Sequence, residues 1–260
     1  MKSSFVLRFT ALVLLLSAVI EGNAKDKPRQ YYQIRIYHLK DAAQEQRLDS
    51  FLRDAYLPAL HRQGIARVGV FKPIPAEAKE KLVYLLVPFK SDKQILNLEA
   101  KLSEDKTYQQ AGSSYINTIY TSPVYERMEN ILLNSMPGTS FATHSYDSTA
   151  GSRIFELRSY EGASETIFRN KVDMFTKGGE IGIFSRLGFK PIFYGEVIAG
   201  GKMPNLMYMT SFENKAARDK HWDAFGKDPE WKVLSAKPEY QNNVSHIDTW
   251  LLHPAAYSDL

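Results

Sequence analysis

Tyr32-Gln33-Ile34-Arg35-Ile36-Tyr37 and Phe155-Glu156-Leu157-Arg158-Ser159-Tyr160 are two versions of one stretch. The second comes about 120 residues after the first, and each is followed by a helical run, a glycine, a strand pair, a second helix and a closing strand. A supersecondary unit has been duplicated within the chain. A half of roughly 110 residues with one open sheet cannot cover that sheet alone, and a tandem copy supplies the cover.

Within the first half, Tyr31 to Tyr37 alternates as a strand, with Ile34 and Ile36 opposite Gln33, Arg35 and Tyr37. A helix follows with Leu48, Phe51, Leu52, Ala55, Ala59 and Leu60 at three- and four-residue spacing, and Gly64 ends it. Residues 66–72 and 81–89 read as strands, with Pro88 marking a bulge or a strand end. Ser91 caps a second helix carrying Ile95, Leu98 and Leu102, and residues 124–133 close the half. The second half repeats this from Arg153. Ser164 or a neighbour opens a helix with Phe168, Val172 and Phe175, and Gly178-Gly179 interrupts it. Residues 189–199 and 206–212 form a hairpin, Asn214 caps a helix with Ala217, His221, Trp222 and Phe225, and residues 243–252 are the last strand. The order is β-α-β-β-α-β in each half, so the fold class is α+β: two tandem ferredoxin-like units, 30–135 and 153–260, joined by a Ser/Thr/Gly-rich linker over 136–152. The two units are expected to form one α/β barrel.

Residues 1–24 stand outside this pattern. Lys2 and Arg8 precede an apolar core from Phe9 to Ile20, and Gly22-Asn23-Ala24 offers a signal-peptidase site. The core is about a dozen residues, short of the ~20 that span a bilayer. The reading is a cleaved signal peptide and a periplasmic or secreted protein with no membrane attachment afterwards. The absence of cysteine excludes disulfides, thiolate metal sites and a cysteine nucleophile. Cleavage removes Lys2, Arg8 and Glu21 and lowers the net charge from +4 to +3, with the lysines scattered, which argues against nucleic acid as a partner.

The sharpest local signal is Asp228-Pro229-Glu230-Trp231, an N-cap, a proline at the first helical position and an acid in the first turn. Its plain reading is a capped helix whose tryptophan plugs the core. Asp105-Lys106-Thr107-Tyr108 is the first-half counterpart. Together with Glu156, Arg158 and Tyr160 on one strand and the Gly188 and Gly195 pair, this motif resembles the NIPSNAP family, closely from Arg153 to Ser258. The first half resembles it more loosely, since Gln33 replaces the glutamate. The resemblance implies a dimeric α/β barrel of ferredoxin-like units, related to antibiotic-biosynthesis-type monooxygenases. It implies no particular reaction.

In such a barrel, period-two alternation sorts strand residues into a helix side and a lumen side. Phe155 and Leu157 are assigned to the helices. Glu156, Arg158 and Tyr160 are then expected in the lumen with Gln33, Arg35 and Tyr37, near Tyr208. A buried arginine needs a partner, here Glu156, Asp248 or a ligand carboxylate. Two readings stay open: a closed polar network that ties strands together, or a lumen site for a small anionic or carbonyl-bearing organic molecule on Arg35, Tyr37, Glu156, Arg158, Tyr160 and Tyr208. His246 and Asp248 share a face of the last strand with Trp250, and their roots lie ~7 Å apart, within reach for a polarised imidazole acting as general base.

The six histidines fall on separate elements without ligand spacing, so no metal is expected; related barrels can take haem, but no spacing favours it and no cofactor is assigned. No phosphate loop or nucleophile elbow occurs. The function classes that remain are a small-molecule binding protein, a cofactor-free monooxygenase-like enzyme, and a non-catalytic interaction or assembly module with a filled lumen. An open sheet edge on either half would also allow a homodimer.

Overall fold

The computed structural model describes residues 29–74, 80–141 and 152–260. The expected leader and most of the linker lie outside these residues.

Strand β1 (Tyr31–Leu39) leads into a helix capped by Asp41, whose side chain accepts from the Gln44 amide. That helix runs as α1 (Ala42–Phe51), a π-helical turn (Leu52–Tyr56) and α2 (Leu57–Arg62). Pro58 explains the turn: it donates no amide hydrogen, and the wider turn accommodates its ring while the Leu57 amide bonds back to the Leu52 carbonyl. The hairpin of β2 (Gly69–Pro73) and β3 (Lys81–Phe89) follows, then the short helices α3 (Asp92–Leu96), α4 (Leu98–Glu104), α5 (Lys106–Ala111) and α6 (Ser113–Ile116), and β4 (Arg127–Ser135). Pro88 sits near the end of β3, beyond Leu86, where the β2 ladder stops, so its missing amide leaves no bond unmade.

The second half repeats the order with β5 (Ile154–Glu161), α7 (Glu165–Thr176), α8 (Glu180–Arg186), β6 (Lys190–Ala199), β7 (Asn205–Phe212), α9 (Lys215–Lys227), α10 (Pro229–Ser235) and β8 (His246–Pro254). Gly178 and Gly179 separate α7 from α8, Gly179 with φ +95°. Asp228 caps α10 through the Glu230 and Trp231 amides at 3.0 and 3.1 Å while gripping Arg186. Asp105 does the same work in the first half, capping α5 at 2.9 Å and holding Arg62. Trp231 is half-buried, its ring 4.4 Å from that of Phe225, so it covers the core edge and does not plug it.

The eight strands close in the order β1-β3-β2-β8-β5-β7-β6-β4, all pairs antiparallel. Each half contributes a four-stranded sheet, and the β2–β8 and β4–β6 seams join them. Closure gives every strand two neighbours, so the open edges expected to allow a homodimer are absent from the barrel. Directions alternate around the ring, so β1 and β5, four places apart, run the same way and finish at the same mouth.

The lumen is packed with apolar side chains from all eight strands, among them Tyr32, Ile34, Phe71, Phe155, Leu157, Phe193 and Leu252. Gly195 belongs to this packing: a Cβ there would meet Leu133 at 3.0 Å and Tyr32 at 3.5 Å. Separate cores lie between each sheet and its helices, around Tyr37, Phe51, Leu85 and Tyr108 in the first half and Phe175, Phe184, Tyr208 and Phe225 in the second.

Candidate functional site

The faces are reversed from the sequence expectation. Phe155 and Leu157 fill the lumen, and Glu156, Arg158, Tyr160 and Tyr208 lie under the helices, as do Gln33, Arg35 and Tyr37. The reason is width. An eight-stranded barrel has room inside only for its own side chains, so its most apolar face turns inward and ion pairs go to the helix side, where long helical side chains reach them.

On the second half's helix side, Glu156 is fully buried and receives four hydrogen bonds: from Arg158 Nη1 at 2.8 Å, Arg218 Nε at 2.7 Å, Arg218 Nη2 at 2.9 Å and Trp222 Nε1 at 2.7 Å. Arg218 and Trp222 stand one helical turn apart on α9, which puts both on the face that meets the sheet. Arg158 lies 4.5 Å from the Trp222 ring centre. Burial works against the Arg158 guanidinium, but Tyr208, Tyr160 and Glu156 outweigh it and hold its pKa above the usual arginine value. The Tyr160 and Tyr208 hydroxyls bond each other at 2.9 Å, and burial pushes both phenols up. Beside them Lys171 pairs with Glu180 at 2.9 Å, both nearly out of solvent; burial raises the Glu180 carboxyl although Lys171 opposes it. Every oxygen of Glu156, Tyr160 and Tyr208 has a partner.

The first half holds the same arginine differently. Gln33 replaces Glu156, and register puts Leu85 where Tyr208 stands. The one carboxylate on Arg35 is Glu99, 3.5 Å away and 77% exposed, while the Arg35 side chain is 13% exposed. Arg35 Nε, Gln33 Oε1 and the Tyr56 hydroxyl are buried with no hydrogen-bonding partner. Tyr56 comes from the π-helical turn, its ring centre 5.3 Å from the guanidinium. Burial pulls the Arg35 pKa down, yet Tyr56, Tyr37 and Glu99 carry it above the usual arginine value, so the group stays charged. Burial also raises Tyr56, which therefore stays a neutral hydroxyl able to donate.

His246 and Asp248 do share a face with Trp250, and that face looks into the barrel mouth. His246 Nε2 lies 3.2 Å from Asp248 Oδ1, and Asp248 Oδ2 receives Lys202 Nζ at 2.5 Å. Burial favours the protonated Asp248 carboxyl, but Lys202 and His246 overcome it and lower its pKa. The expected grouping of this pair with Arg158 and Tyr160 does not form, because the two sets lie on opposite faces of the sheet. Asp248 is therefore not the partner of Arg158. Arg218, Lys171, Glu180 and Tyr56 escaped the sequence reading. The Arg218 and Trp222 spacing on a helix facing a charged strand was the available signal for the first of these.

The NIPSNAP family model matches residues 155–259, from Phe155 on β5 to Asp259. Over those residues the chain is similar to the NIPSNAP family. Outside that span the fold is matched by solved structures. A candidate monooxygenase of Lactobacillus acidophilus NCFM is similar at TM-score 0.59 and 12% identity, over 86% of this chain and 93% of its own. A second from Fusobacterium nucleatum gives 0.58 and 7%, over 86% and 92%. A NIPSNAP-like domain protein of Burkholderia xenovorans is 21% identical over 41% of this chain and 88% of its own, at TM-score 0.37. No curated protein sequence matches the chain. The half that matches the NIPSNAP model thus carries the network in which every Glu156 oxygen is bonded, and the half before it carries Arg35 with a single, exposed carboxylate among the described residues.

Proposed function

We propose that the protein binds a small organic anion, a carboxylate or an enolate, between the sheet and the helices of its first half, with Arg35 as countercharge. The observation that carries this is the Arg35 guanidinium, 13% exposed, whose one carboxylate among the described residues is the exposed Glu99, with the Tyr56 hydroxyl and Gln33 Oε1 buried beside it and unpartnered among those residues. An arginine so placed is costly without an anion, and a planar fork flanked by a phenol suits a carboxylate. Phe51 and Tyr108 supply apolar walls, and the buried Tyr37 hydroxyl faces the guanidinium. The site replaces the lumen site expected from the sequence. The NIPSNAP half, with Glu156 saturated, serves as scaffold.

A filled lumen favours the second reading, an interaction module that works through its outer surface. The monooxygenase-like reading draws support from the fold alone. The leader-like residues 1–24 support an exported protein that meets its ligand outside the cytoplasm. Any homodimer would use helix or loop surfaces, since barrel closure takes up the edges.

Native mass spectrometry of the protein purified from its source tests the reading. A small anion should be retained by the wild type and lost in Arg35→Met; an unliganded wild type, or a ligand that survives the substitution, overturns it.

A further inference from the structure

We propose that Glu161, His246 and Asp248 bind a divalent cation at the mouth of the barrel. This site is independent of the anion site, which lies on the other face of the sheet in the other half.

Three adjacent strand positions build it. His246 and Asp248 are two residues apart on β8 and so share its inner face, and Glu161 on β5 is paired directly with His246. One nitrogen or oxygen from each lies within 4.8 Å of the others. The His246 Nε2 to Asp248 Oδ1 separation of 3.2 Å is the spacing of two ligands on a tetrahedral ion with bonds of ~2.0–2.2 Å, which places them ~3.3 Å apart. Lys202 occupies Asp248 Oδ2 and leaves Oδ1 for the ion, orienting the carboxylate from behind. Two carboxylates against one lysine leave the cluster short of positive charge. Asn205, paired with Glu161 from β7, adds a buried Oδ1 with no hydrogen-bonding partner, suited to a water on the ion.

The other half shows what the position asks for. Matching registers put His38, Arg127 and Glu129 where the second half has Glu161, His246 and Asp248. There the Arg127 guanidinium lies 3.3 Å from Glu129 Oε1 and 3.1–3.2 Å from the His38 nitrogens. His38 there bonds Glu80 and Glu129 at 3.1 and 2.7 Å with Arg127 as the cluster's cation, whereas the second half has an imidazole in the arginine's place and so a nitrogen donor beside Glu161 and Asp248. The donor set, one nitrogen and two carboxylates without sulfur, suits Zn2+ or Mn2+, with a fourth position left to water.

Calorimetric titration of the full chain with ZnCl2 tests this, beside His246→Ala, Asp248→Asn and the first-half control Glu129→Gln. The expected result is one zinc per chain, weakened at least ~10-fold, or ~1.4 kcal/mol, by His246→Ala and Asp248→Asn, and unchanged in Glu129→Gln. His246 is exposed, so circular dichroism should show the alanine variant folded. Cobalt titration adds a second readout, visible absorption typical of a four-coordinate site, lost in His246→Ala. No zinc uptake by the wild type, or uptake unaltered in both second-half variants, overturns the proposal.

Discussion

At position 33 the first half has a glutamine where the second half has Glu156, and the surroundings of the matching arginine change with it. Glu156 gathers Arg158, Arg218 and Trp222 into a set with no free oxygen. Among the described residues Arg35 has one carboxylate, Glu99, bonded at 3.5 Å and 77% exposed, and Gln33 Oε1 and the Tyr56 hydroxyl are left over. The packing differs in step. Tyr208 and Tyr194 of the second half correspond by register to Leu85 and Val70 of the first, so the first half has smaller residues beside its arginine and brings in a phenol, Tyr56, from a helix. Both arginines leave Nε unbonded, so the difference lies in the counter-charge: Glu156 is buried against Arg158, and Glu99 lies exposed beside Arg35. Duplication permits this, since a barrel stabilised by one half tolerates an unsatisfied site in the other.

The largest effect should come from opening the closed half. Glu156→Ala strands Arg158, Arg218 and Trp222 and should cost ~3–5 kcal/mol in urea unfolding, whereas Gln33→Ala, which strands no charge, should cost much less. Equal losses would erase the distinction. Next is Glu180→Gln, which leaves Lys171 buried without its counter-ion and should cost ~3 kcal/mol; Lys171→Met combined with Glu180→Leu should recover most of that loss. The pair also sets a pH dependence. Because burial raises the folded Glu180 pKa, its contribution is complete below the ordinary carboxyl range and declines as pH rises through that range towards the folded value. The apolar double variant should therefore flatten the stability curve on the weakly acidic side, and an unchanged slope would contradict the raised pKa. Smaller still is Gln33→Glu, which gives Arg35 an internal partner. It should change stability by no more than ~1 kcal/mol and abolish anion binding, converting the open half to the closed type. Arg35→Met, which loses only a bond to an exposed carboxylate, should shift stability by ~1 kcal/mol or less.

Much of the fold was legible in the chain. The repeated strand gave the duplication, and Asp228-Pro229 and Gly178-Gly179 marked helix boundaries where they occur. The strand alternation also put Arg158, Tyr160 and Glu156 together correctly, and paired His246 with Asp248. What it could not say is which of two faces is inside. A two-residue period is symmetric, and the deciding quantity, the width of an eight-stranded barrel, belongs to the closed ring and not to any one strand. The large rings of Phe155 and Tyr32 could have settled it, because only the lumen side lacks helices to supply counter-ions. Tyr56 was hidden for another reason: its place over Arg35 depends on the π-helical turn before Pro58, a local change of period that a regular helical pattern conceals.

The most direct test of the contrast between the halves is a calorimetric titration of benzoate, a minimal aromatic carboxylate, into the wild type, Arg35→Met and Arg158→Met, with folding of each checked by circular dichroism. Benzoate should bind the wild type saturably, fail to bind Arg35→Met and still bind Arg158→Met. Binding that persists without Arg35, or that depends on Arg158 instead, would contradict it.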